Sequence, residues 1–144
     1  KQQEIDKKNA AIAEEMRKAE ERNQKIILAG DLKNKGDELA FAERYIESID
    51  KYEEAKKLYT ELDLKGETEY LEYKIKRNEG YLYELQGDQA YKAKKWIDAE
   101  QKYKMSGDSF DKAGDISEEV KSRVEKKLAK ATRKVNKRWW QFWK

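Results

Sequence analysis

Residues 87–106 read GDQAYKAKKWIDAEQKYKMS, and the spacing of their glycine, aromatic and small residues decides how the rest of the chain is read. From Gly87 the steps are nine to Trp96, three to Ala99, four to Tyr103 and three to Ser106. The same steps lead from Gly36 to Tyr45, Ser48, Tyr52 and Ala55, 51 residues earlier. An echo at a fixed offset marks a helical repeat array, because each unit has to bury the same face against its neighbour.

The two copies, residues 36–55 and 87–106, resemble the tetratricopeptide (TPR) repeat. That resemblance implies an all-α fold, an α-solenoid of antiparallel helical hairpins with small residues where two helices approach closely. The offset is longer than the family's period of about 34 residues. Elongated hairpins account for the excess, and residues 67–93 are expected to form largely one helix. The return helices are expected to begin at Tyr45 and Trp96, with Lys65-Gly66 closing the first as a glycine C-cap.

The resemblance also implies a concave face lined by the first helix of each hairpin. Counting from each glycine, its groove positions fall on Lys33, Asp37, Ala40 and Phe41 in the first copy and on Glu84, Asp88, Tyr91 and Lys92 in the second. Family members that grip a C-terminal carboxylate use Lys and Asn at such places. Here Asp37 and Asp88 occupy the asparagine-like positions, so a basic or mixed-charge protein or peptide suits the groove better than an acidic one. The plain alternative is that each is an ordinary solvent-facing helix residue.

Composition agrees with a helical domain. The 144 residues contain no proline, and 44% are charged with a net charge of only +3. Nine Tyr, four Trp and three Phe supply bulk for a core, so the charges do not imply disorder. No cysteine is present, which fits a reducing compartment. The expected location is cytoplasmic, with membrane association and an extracytoplasmic placement left open. Because the sequence opens on Lys1, it is expected to be part of a longer protein.

Three regions follow from the pattern. Residues 1–28 form a polar helix in which Ile5, Asn9, Ile12, Met16, Ala19, Asn23 and Ile26 alternate at four and three. Such a seam fits a coiled-coil stalk that makes a homodimer through residues 5–26, since asparagine at a seam fixes register. The favoured expectation is instead that this face packs on the first hairpin. Residues 29–115 carry the hairpins, with Gly30 and Gly36 each expected to permit a close helix contact or to mark a break.

Residues 116–144 read as a basic amphipathic helix, started by a capping box of Asp115 and Glu118. One face carries Val120, Val124, Leu128, Ala131, Val135, Trp139 and Phe142. Between Ser117 and Lys144 ten Lys or Arg oppose three Glu, a local charge of +7. Its end, WWQFWK, groups Trp139, Trp140, Phe142 and Trp143 with Lys134, Lys137 and Arg138, the composition of an interfacial anchor for an anionic membrane surface. The alternative, favoured slightly, is that Trp139, Phe142 and Trp143 fold back as a cap over the array.

With neither histidine nor cysteine, the commonest general base, the thiol nucleophile and the usual transition-metal ligands are missing. No phosphate loop or calcium loop is present. No catalytic residue, cofactor or metal is expected. Nucleic acid is the least favoured partner, because no spaced aromatic platform accompanies the basic helix. The reading is a protein-interaction or scaffolding module of a larger, signalling-type protein, with a peripheral membrane module as the alternative.

Overall fold

A computed structural model describes residues 1–143. They form five α-helices and no strand: α1 Gln2–Phe41, α2 Tyr45–Glu61, α3 Lys65–Lys92, α4 Trp96–Ala113 and α5 Glu118–Trp143. The fold is therefore all-α. Short connections turn each helix antiparallel to the one before it, and extensive packing joins only chain neighbours, from α1 on α2 to α4 on α5. Because the direction alternates through five helices, the N-terminus of α1 and the C-terminus of α5 lie at opposite ends of the molecule.

The first three connections share one design. Ala42-Glu43-Arg44, Leu62-Asp63-Leu64 and Ala93-Lys94-Lys95 each place the middle residue in the left-handed region, with φ of 60°, 57° and 60°. In each, the middle N–H bonds the carbonyl three residues back and the next N–H the carbonyl five back, as in Glu43 N to Ala40 O and Arg44 N to Leu39 O. These are Schellman turns without glycine. Gly66, expected as a C-cap, instead lies in the first turn of α3, because Asp63 has already made the turn. The fourth connection does use glycine, Gly114 at φ +92°. The start of α5 is capped by Ser117 Oγ, which accepts the Val120 N–H at 3.3 Å, and not by Asp115. The Asp115 carbonyl accepts the Tyr73 hydroxyl at 2.9 Å.

Glycine sets the closest approaches. A Cβ on Gly36 would lie 2.5 Å from the Tyr52 ring, one on Gly87 2.6 Å from the Tyr103 ring, and one on Gly80 2.5 Å from the Phe110 ring. Around the first contact the core gathers Ala29, Tyr52, Ala55, Tyr59, Leu62, Leu71 and Ile75. Ser48 Oγ donates to the Gly36 carbonyl at 2.6 Å and accepts from Asn78 Nδ2 at 2.9 Å, tying three helices together at a buried point. Ser106 Oγ makes the same bond to the Gly80 carbonyl at 2.7 Å. Gly30 neither meets a neighbour nor breaks α1.

Two expectations about the ends are corrected. Helix α1 runs unbroken across residues 28 and 29, and the face of Ile5, Ile12 and Met16 does not pack on the first hairpin. Contact with the body begins only where Arg22 reaches the Leu62 carbonyl at 3.4 Å and Lys25 pairs with Glu61 at 3.8 Å. At the other end Trp139, Phe142 and Trp143 do not cover the array; all three remain exposed. The covering is done by the middle of α5, where Val124 and Ala131 are buried against the body.

Candidate functional site: two charged seams and an aromatic tip

The groove residues inferred from the repeat do not form one open surface. Asp37 accepts hydrogen bonds from the Tyr52 hydroxyl and from Lys74 Nζ on α3, the latter at 2.6 Å. In the second copy, Asp88 accepts from the Tyr103 hydroxyl at 2.7 Å and from Lys127 Nζ on α5 at 3.0 Å. Each aspartate thus holds the tyrosine that packs on its neighbouring glycine, from the next helix, and a lysine from the helix after that.

Glu84 is buried one turn before Asp88 and is clamped by α5. Arg123 approaches it in a fork, Nε to Oε2 and Nη2 to Oε1, both at 2.7 Å, and Lys127 adds a third bond at 2.8 Å. Burial pushes the Glu84 carboxyl up, but the Arg123 and Lys127 bonds outweigh it and hold the group below the ordinary carboxylate range. The same opposition, burial against the bonds of Lys74 and Tyr52, leaves Asp37 lowered as well. Burial pushes the Tyr52 and Tyr103 hydroxyls up, and their bonds to Asp37 and Asp88 add to it.

The other groove positions are scattered. Lys33 pairs with Glu67 at 3.6 Å and sits 5.9 Å from the Tyr70 ring. Tyr91 packs edge-on against Trp96 at 4.9 Å. Lys92 is exposed at the end of α3, and Phe41 at the end of α1 is 94% exposed. Sequence reasoning missed Lys74, Arg123 and Lys127. No repeat spacing marked them, since Lys74 follows Asp37 by 37 residues and Lys127 follows Asp88 by 39, so the lysines do not share the 51-residue echo.

The tip of α5 is a different surface. Helix α4 has 18 residues and α5 has 26, so the apolar stripe that packs on α4 runs on beyond it. The last paired point is at Trp96, whose ring lies 5.2 Å from Lys134 Nζ. Past it an open apolar cleft is lined by Trp96, Ile97, Val135, Arg138, Trp139 and Phe142. Trp140 and Trp143 are 71% and 78% exposed. On the flank, Lys130, Arg133, Lys134 and Lys137 border a basic hollow with Tyr91. The tip therefore combines unpartnered indoles with several cations on one overhanging helix.

No group of His, Cys, Asp or Glu among the described residues has the arrangement of a metal site. No helix of the described residues is long and apolar enough to cross a membrane. No known protein family, no curated protein and no solved structure matches this chain.

Proposed function

We propose that the chain is an adaptor module of a larger protein, a TPR-like array of elongated hairpins that docks on an anionic membrane surface through the tip of α5. The observation that carries this reading is the exposure of Trp139, Trp140, Phe142 and Trp143 beside Lys134, Lys137 and Arg138 on a helix end that overhangs its support. Indole rings favour the headgroup boundary, and each nearby cation adds about 1 kcal/mol of attraction to an anionic leaflet. The TPR-like description is supported by the contact of Gly36 with Tyr52 recurring, 51 residues on, between Gly87 and Tyr103.

A peptide held in the repeat groove has less support. A ligand aimed at Asp37, Glu84 or Asp88 competes with Lys74, Arg123 or Lys127, which already hold these carboxylates. The cleft of Trp96, Ile97, Val135 and Phe142 favours a second reading, in which a partner helix lays apolar side chains there. Co-sedimentation separates the two. The full chain is expected to pellet with phosphatidylserine-containing vesicles, to stay in solution with phosphatidylcholine alone, and to lose binding when Trp140 and Trp143 are replaced by Ala or residues 137–144 are removed. Equal behaviour with both vesicles, or binding unchanged by the truncation, overturns the membrane reading.

A further inference from the structure

We infer that the overhanging part of α1 is a dimerisation stem, against which a second copy of this chain lies parallel and in register. This inference is independent of the membrane reading. Residues 2–21 extend as a single helix about 30 Å long before the first contact with the body, and every residue in them is exposed. Ile12 and Met16 are 54% and 68% exposed in the middle of that length.

The exposed apolar residues are ordered along the helix. Ile5, Ile12, Ala19 and Ile26 alternate with Asn9, Met16, Asn23 and then Gly30 at steps of four and three, so they form one heptad seam. The direction of the seam matters as much as its spacing. At about 100° per residue, Ile12 points about 120° away from Gly36, which faces the body. A second helix laid on Ile12 therefore has the hairpins to one side. The opposite side of the stem is already satisfied within the helix, where Arg17 pairs with Glu14 and Glu21 at i,i+3 and i,i+4.

The two asparagines choose the arrangement. In a parallel, in-register pair Asn9 meets Asn9 and Asn23 meets Asn23, so each amide has an amide to bond. In an antiparallel pair they meet d-position residues such as Ala19 and Ile5, and the amides go unpaired. The parallel pair carries one flaw of its own. Glu15 and Glu20 flank the seam, and Glu15 of one copy faces Glu20 of the other. Like charges at that spacing weaken the dimer and make it tighten with salt, the reverse of an interface held by ion pairs.

Sedimentation equilibrium of the full chain tests this. A monomer–dimer equilibrium is expected at tens of micromolar, tightening with added salt. Ile12→Asp is expected to weaken it at least tenfold while, at dilutions where both proteins are monomeric, helical circular dichroism and the denaturation midpoint stay unchanged, because Ile12 lies on the exposed part of α1. Glu20→Lys is expected to tighten it several-fold. The chain has no cysteine, so Asn9→Cys reports alignment directly: it should crosslink to a disulfide dimer far more completely than Lys18→Cys on another face. A monomer throughout the concentration range, a dimer indifferent to Ile12→Asp, or equal crosslinking at positions 9 and 18 overturns the inference.

Discussion

The Tyr52 ring packs against the bare backbone of Gly36, so close that a Cβ would stand 2.5 Å from a ring carbon. No real Cβ sits at that distance, so alanine forces α1 and α2 apart or tilts a buried ring.

Gly36→Ala is expected to destabilise the chain by up to about 2 kcal/mol, an overpacking loss of about 1–3 kcal/mol minus the roughly 1 kcal/mol that alanine gains in a helix. Gly30→Ala, on the same helix with nothing near it, is expected to stabilise by about 0.5–1 kcal/mol. Urea midpoints of the two variants should move in opposite directions.

The glycine-free turns carry a backbone penalty. Glu43 and Lys94 sit at φ 60° in connections whose other groups are already bonded. Replacing either by Gly is expected to raise stability by about 0.5–1 kcal/mol, measured by thermal denaturation. Asp63→Gly should gain less, since aspartate tolerates this conformation better.

The clamp of α5 on α3 rests on one carboxylate. Glu84→Gln removes the charge that Arg123 and Lys127 share and is expected to cost about 2 kcal/mol, with both cations partly solvated in its absence. The loss should show as faster amide exchange in α5, with α1 and α2 unchanged.

Acid should act through the same group. Glu84 and Asp37 are held below their ordinary values of 4.5 and 3.8, so the folded state binds fewer protons than the unfolded one. Their stabilisation is complete above the unfolded values and is lost as pH falls through the lowered ones. The urea midpoint is expected to fall below about pH 4.5, and Glu84→Gln to flatten the upper part of that fall.

Alkali acts in the opposite sense. Tyr52 and Tyr103 ordinarily titrate at 10.0 and are raised by burial and by Asp37 and Asp88. Their contribution is complete below pH 10 and is lost as pH rises from there toward the raised folded values. Phe at both positions is expected to flatten the alkaline limb, and each substitution to cost about 1 kcal/mol at neutral pH for the missing hydrogen bond.

Much of the architecture was legible because it depends on spacing. Gly36 with Tyr52 and Gly87 with Tyr103 are close-packed pairs set 16 residues apart across a turn, and such pairs leave a periodic trace. The same spacing located the starts of α2 and α4 and the length of α3. The turns themselves were not legible, because Glu43, Asp63 and Lys94 adopt a conformation that their side chains disfavour, while Gly66 stands where no such conformation is needed. The pairing of Asp37, Glu84 and Asp88 was hidden for a different reason. Their cationic partners lie two helices further on, and a lysine among 33 basic residues carries no mark of which carboxylate it will meet. The fate of the Trp-rich end turned on a difference in length between α4 and α5, which depends on where Gly114 ends the shorter helix.

Alternation through an odd number of helices has a mechanical meaning. The stem leaves one end of the stack and the indole tip leaves the other, so the two are held apart by rigid helix, at least the roughly 60 Å length of α1. If the stems pair in parallel as inferred, the two chains would stand as a two-footed strut, both tips facing the same way and each raising the effective concentration of the other. On the proposed membrane reading, the stem would be held at a set stand-off height above the surface. Adding or deleting a turn in α1 would change that height by about 5.4 Å, a ruler written in residues.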